Sequence, residues 1–239
     1  MTAVDYFEER FGALGSAARA ASAKAYMKSS LRFHGVDAKQ LRAECKAYCA
    51  RASLDREALV ENVDALIATD GFELRSAAIA LLEANWKLLD PSDLHWLVEI
   101  GRTTACWAHV DFLASAVIEN VLERYVDPSD EAELVRTWGS DPDSFWVRRI
   151  GLLAQLRRLR HGGGDFALFA SIAVPLLAEK EFFIRKAIGW VLREVTKKRP
   201  ALVEEFCLAH ARACSGLTWR EATKYLPPAM KKRVDAARR

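Results

Sequence analysis

The sequence predicts an all-α protein, and three observations carry that reading. Apolar residues recur at three- and four-residue intervals almost throughout. The pattern is interrupted only at clusters of Pro, Gly and Asp. No segment alternates apolar and polar residues as a half-buried strand does.

Taken in order, residues 1–70 are helical in pattern but irregular, and are expected to form an N-terminal helical cap. Beyond them the periodicity sharpens in ELRSAAIALLEANWKLL, HVDFLASAVIENVLERYV, DSFWVRRIGLLAQLRRL and FFIRKAIGWVLREVTKK. Breaks are expected at LDPSD (89–93), VDPSD (126–130), SDPD (140–143), HGGGD (161–165) and KRP (198–200), where one helix stops and the next is capped. The glycine run at 162–164 lacks the Lys-Ser/Thr of a phosphate-binding loop and reads as a flexible connection. The basic run KKRVDAARR (231–239) reads as a frayed tail, with phosphate contact as the alternative.

A loose repeat runs through the periodic region. FELRSAAIALL, CWAHVDFLASA, FWVRRIGLLAQ, FFIRKAIGWVL and LTWREATKYL each place a polar residue three positions after an aromatic or apolar opener. These anchors are Arg75, His109, Arg148, Arg185 and Arg220, spaced 34, 39, 37 and 35 residues apart. A unit of that size cannot bury its apolar face alone, so stacked helix pairs are expected, a HEAT-like solenoid with a concave basic groove. The expected organisation is a single domain over 1–239, with repeats over 71–230 between the cap and the basic tail.

Composition narrows the function. At 239 residues, with 51% hydrophobic and 28% charged, the chain can bury a sizeable core and carries no signature of disorder. The N-terminal MTAVDYFEERFG lacks the apolar core of a signal peptide, and no charge-free apolar stretch is long enough to span a bilayer, so cytoplasmic residence is expected. The five cysteines are an odd number without a disulfide or zinc spacing, and reduced, mostly buried thiols are expected. The net charge of +3 conceals an asymmetry: residues 1–143 hold 15 basic against 24 acidic residues, and residues 144–239 hold 20 against 8. Such an excess predicts a polyanion-binding surface in the second part of the chain.

Particular residues sharpen this expectation. In the helix around 183–197, Ile184, Ile188, Val191, Leu192 and Val195 form the core stripe, which leaves Lys186, Trp190, Arg193 and Lys197 on the opposite face. An indole among cations suits nucleic acid, although packing of Trp190 on a neighbouring repeat is the alternative. Near 105 a second helix has Val110, Leu113, Ala114, Val117 and Val121 as its stripe, with Trp107 and Asp111 one turn apart on its flank, where the carboxylate taken alone reads as an ordinary salt-bridge acid. Arg148, Arg149, Arg157, Arg158 and Arg160 load the expected helix of 146–160 with cations suited to phosphate or to solvent. His109, near a helix start, is expected to be a surface histidine that packs.

Together these segments resemble the AlkD-type alkylpurine DNA glycosylases. KEFFIRKAIGWVLREVTKKRP (180–200) is similar to that family's hallmark segment, AYMKSSLRFHGV (25–36) to its N-terminal motif, WAHVD (107–111) to its Trp-x-x-x-Asp, and WVRR (146–149) to the segment with its functional arginine. The likeness runs in order from about residue 18 to 228. It implies Asp111 as the catalytic carboxylate, Trp107 and Trp190 as flanking aromatics, Arg149 as a phosphate or active-site cation, Tyr26 as a cleft residue and Arg157 as a further DNA contact. Cys106, Ala108 and His109 depart from bulkier or acidic neighbours common in the family, which bears on substrate preference.

The implied activity is excision of N3- and N7-alkylated purines from double-stranded DNA by a grip on the backbone, without a base-enclosing pocket. A nucleoid-associated monomer using no metal or cofactor is expected. The alternative is a non-catalytic binder of distorted or branched DNA. A scaffold for another protein is a third reading, which the basic second part of the chain argues against.

Overall fold

Residues 1–238 are described by a computed structural model, and they are helical with no strand among them. The one ladder element is an isolated parallel bridge between Arg32 and Gly71. No helix among the described residues is long and apolar enough to cross a membrane. The chain divides into two compact units, Met1–Leu113 and a second from Ala114 onward.

The first unit contains α1 (Ala3–Leu14), α2 (Ala17–Met27), α3 (Ala38–Ala52), α4 (Arg56–Ile67), α5 (Phe72–Asn85), α6 (Leu94–Thr104) and α7 (Trp107–Leu113). Local chemistry starts several of these helices. Thr2 and Asp37 close capping boxes on α1 and α3, and Asp55 caps α4. The core is made by α1, α3, α4 and α5, where Phe7, Phe11, Leu59, Val63, Leu66, Leu74 and Leu81 are fully buried. Residues before and after position 70 thus share one apolar interior.

α2 buries none of its side chains and is held by its ends. Arg19 Nε donates to Gly35 O at 2.8 Å, and Ser16 N to His34 O at 3.0 Å. Gly35 has φ 78°, and a Cβ there would lie 2.2 Å from Ser16 O, so only glycine fits this approach. Beneath it the buried Glu73 carboxylate accepts from the backbone N–H groups of His34 (2.9 Å), Gly35 (2.8 Å) and Val36 (3.3 Å). The end of the 25–36 segment is therefore fixed by a carboxylate some forty residues downstream in the chain.

The second unit begins with a π-helical segment, Ala114–Ile118, then α8 (Glu119–Tyr125), α9 (Pro128–Gly139), α10 (Phe145–Leu153), α11 (Leu156–Arg160), α12 (Phe166–Ala173), α13 (Phe182–Thr196), α14 (Pro200–Ala209), α15 (Gly216–Ala222) and α16 (Pro228–Ala237). α13 is its centre and packs against α10, α11, α14 and α15. Its predicted stripe, Ile184, Ile188, Val191, Leu192 and Val195, is completely buried. α9 and α10 meet backbone to backbone, since a Cβ on Gly151 would lie 2.6 Å from Gly139 N.

The predicted breaks fall at helix ends. Pro128 and Pro200 open α9 and α14, Asp165 caps α12, and the Asp141 carboxylate accepts from Asp143 N and Ser144 N ahead of α10. Three of the spaced arginines share one device, hooking back to a carbonyl six or seven residues earlier: Arg75 Nε to Thr69 O (2.8 Å), Arg148 Nη1 to Asp141 O (2.6 Å) and Arg185 Nε to Glu179 O (2.7 Å).

Three expectations change here. The helix foreseen over 146–160 is broken at Ala154–Gln155, so Arg149 and Arg157 are not in line on one axis. The buried Glu119 carboxylate takes the N–H groups of Arg157 and Arg158, both at 2.8 Å, and so starts α11 as a separate helix. The glycine run is a set turn, with Gly162 and Gly164 at positive φ and the Arg199 guanidinium donating to Gly163 O. The basic tail is helical through Ala237: Val234 is buried, Asp235 accepts from Trp219 Nε1 at 3.0 Å, and Arg233 pairs with Glu204 at 2.6 Å. Arg239 lies outside the described residues.

Candidate nucleic-acid interface

In the first unit the sequence-predicted residues Tyr26, Trp107 and Asp111 are positioned by α2 and α7. α6 ends at Ala105 in the left-handed conformation (φ 45°), and Cys106 O then accepts from His109 N and Val110 N to start α7. Trp107 and Asp111 come one turn apart on its half-buried flank, while Val110 and Leu113 face the core. Tyr26 is 72% exposed, and its ring meets the Trp107 indole edge-on, with centroids 5.9 Å apart. This places two aromatic rings and a carboxylate on adjacent turns of α2 and α7.

His109 is not on the surface. Its ring is buried and stacks on Phe72 at 4.7 Å, and Phe72 stacks in turn on Phe33 at 4.5 Å. Nε2 lies 3.0 Å from Ser76 Oγ and 3.2 Å from Phe72 O, and Nδ1 has no hydrogen-bond partner. Burial lowers its pKa to about 4, so it is a neutral packing residue beneath the flank that carries Trp107 and Asp111.

In the second unit Lys186, Trp190, Arg193 and Lys197 share the polar face of α13 as the periodicity predicts; the first three are half-buried and Lys197 is exposed. The face is organised by two acids that the sequence reading missed. The Glu221 carboxylate of α15 joins Lys186 and Arg193. Glu194 pairs with Lys197 at 2.8 Å and with Arg160 at 2.9 Å. Burial works against ionisation of both acids, but the surrounding cations prevail and lower their pKa values. α15 approaches through Gly189, where a Cβ would lie 2.6 Å from Glu221 Cβ. Trp190 therefore stands one residue beyond this close approach of α13 to α15.

The remaining predicted cations are less available. Arg148 is paired with Glu179 at 2.7 Å and largely covered. Arg157 pairs with Glu123 but remains partly exposed. Arg149, expected as a phosphate or active-site cation, is only 2% exposed, and among its contacts its guanidinium donates to Phe183 O. It reaches the first turn of α13, the helix that packs against α10. All five cysteines are free; Cys49 is half-buried and the others buried, and burial pushes Cys45 and Cys207 up to about 12.

Two rings in the first unit, Phe33 and Phe72, were also missed as support for the site, because their stacking joins segments almost forty residues apart. The DNA alkylation repair enzyme family model matches residues 7–226. Among solved structures, the chain is similar to a predicted DNA alkylation repair enzyme from Enterococcus faecalis, at 26% identity and a TM-score of 0.79, over 90% of this chain and 97% of that one. It shares its fold with AlkD2 from Streptococcus mutans, at 18% identity and a TM-score of 0.60, over 79% of this chain and 89% of that one. No curated protein sequence matches it significantly. With nearly its whole length matched, the chain belongs to the DNA alkylation repair enzyme family, which gives it a role in the repair of alkylated DNA and makes DNA its partner.

Proposed function

We propose that the protein is a monofunctional DNA glycosylase that hydrolyses the N-glycosidic bond of N3- and N7-alkylated purines in duplex DNA. The observation that carries this reading is Asp111, a half-buried carboxylate one turn beyond an indole that is itself edged by the exposed Tyr26 ring. An alkylated purine bears a formal positive charge and leaves without much general-acid help. The C1′–N bond breaks, the electron pair goes to the base and neutralises it, and positive charge develops on the deoxyribose. Asp111 stabilises that charge and orients the water whose oxygen bonds to C1′ and whose proton is released. The indole of Trp107 packs on the sugar and favours the cationic centre, by roughly 0.5–2 kcal/mol.

On α13, Trp190 with Lys186, Arg193 and Lys197 provides a face on which an indole meets sugar while cations meet phosphates. In this reading Arg149, which is buried and donates to Phe183 O among its contacts, makes no direct phosphate contact. The test is release of N7-methylguanine and N3-methyladenine from methylated duplex DNA. Wild type is expected to release both, and Asp111→Asn to lose roughly 100-fold or more in rate. Equal rates would remove Asp111 from the chemistry. Salt-sensitive DNA binding without any release would replace the enzyme by a binder of distorted DNA.

A further inference from the structure

The polar face of α13 does not end at Lys197. The Lys197 Nζ lies 5.8 Å from the centre of the Tyr225 ring, and the Lys224 Nζ lies 5.4 Å from the same ring. Tyr225 is half exposed although its neighbours Thr223 and Leu226 are buried, so the turn between α15 and α16 is anchored on both sides and holds the ring outward. Lys231 Nζ reaches Thr223 Oγ1 at 3.4 Å, which brings the first turn of α16 beside this ring. Lys231 and Lys232 line a depression of about 510 Å³ with Leu226, Pro228, Asp235 and Ala236.

The acids nearby are already engaged. Glu221 holds Lys186 and Arg193, Glu194 holds Lys197, and Asp235 accepts from Trp219 and Lys231. Lys224 and Lys232 are exposed and make no ion pair among the described residues. A tyrosine held outward with two ammonium groups near its ring, beside further lysines, matches a polyanion whose charges alternate with apolar units. The DNA backbone has that pattern, with phosphates for the lysines and deoxyribose for the ring.

We propose that the α15–α16 turn and the start of α16, through Lys224, Tyr225 and Lys232, form a second backbone-contacting surface for DNA that extends the footprint beyond the α13 face. The proposal rests on the reading that α13 faces DNA. Its role is affinity and register rather than chemistry, because no carboxylate of this patch is free to act.

Binding of an undamaged duplex, measured by fluorescence anisotropy across a salt series, tests it. The Lys224→Gln/Lys232→Gln variant is expected to lower the slope of log affinity against log salt by about 1.8, the loss of two phosphate contacts. Tyr225→Ala is expected to weaken binding about tenfold with little change in slope, and Tyr225→Phe to behave as wild type. All three positions are exposed, and thermal melting checks that each variant folds. A double variant with the wild-type slope overturns the phosphate contacts, and wild-type affinity in Tyr225→Ala overturns the ring contact. If wild type itself shows no salt-dependent binding, the α13 reading falls and this surface falls with it. If wild type binds and the variants match it, this surface alone is refuted.

Discussion

His109 stands two residues from both Trp107 and Asp111, and its ring ends the Phe33–Phe72–His109 stack. With a pKa near 4 in the fold and about 6.5 in the unfolded chain, it takes up a proton on unfolding at intermediate pH. Its contribution to stability is complete above about pH 6.5 and is lost as pH falls through 4, reaching about 3 kcal/mol at the limit. His109→Phe is expected to flatten the stability difference between pH 7.5 and 4.5, measured by urea unfolding; an unchanged difference would assign the acid sensitivity to other groups. At this scale the placement of Trp107 and Asp111 on one flank of α7, and of Trp190 on the polar face of α13, was legible in the sequence, since helical spacing defines it. The burial of His109 and Arg149 was not, because a helical wheel does not say which second helix covers a face.

The most consequential single element boundary is the one between α10 and α11. Periodicity over 143–159 is continuous, so a single helix was the natural expectation. The interruption depends on Glu119, whose carboxylate is completely buried and takes two backbone N–H groups at the start of α11. Burial raises its pKa, opposed by those donors and by the guanidinium of Arg158, which also pairs with Glu131. Glu119→Ala leaves that guanidinium short of a partner and two helix N–H groups unsatisfied, with an expected loss of about 3–5 kcal/mol in chemical denaturation. Glu119→Gln keeps an acceptor and is expected to lose less; equal losses would show that charge, not capping, is the requirement. The other breaks were legible because Pro and Asp act on their own neighbours in the chain.

For the molecule as a whole, the charge asymmetry along the chain is its strongest functional signal, and it belongs to composition rather than to any motif. Lys186→Gln/Arg193→Gln is expected to reduce the salt slope of duplex binding by less than the roughly 1.8 of two unpaired phosphate contacts, because Glu221 already holds both cations. Lys39→Gln/Lys46→Gln, two exposed lysines of the acidic part of the chain, is expected to leave it unchanged. Equal effects of the two pairs would mean that net charge alone drives association. The structure also shows that much of the basic excess is engaged by acids, as Arg148 is by Glu179 and Arg158 by Glu119 and Glu131. Counting cations overstates what DNA can meet.

Sequence alone determined the helical class, the helix ends at the Pro and Asp clusters and the core stripe of α13, because each follows from interactions within a few residues of the chain. Tertiary structure decided which cations remain open, which acids hold them, that the 231–237 run docks as a helix, and that Tyr225 stands outward with Lys197 and Lys224 near its ring. Those outcomes depend on burial and on partners 35 to 39 residues away, as with Glu221 for Lys186 and Glu119 for Arg157 and Arg158. A free energy set by desolvation and by a distant partner's position has no local signature in the sequence that produces it.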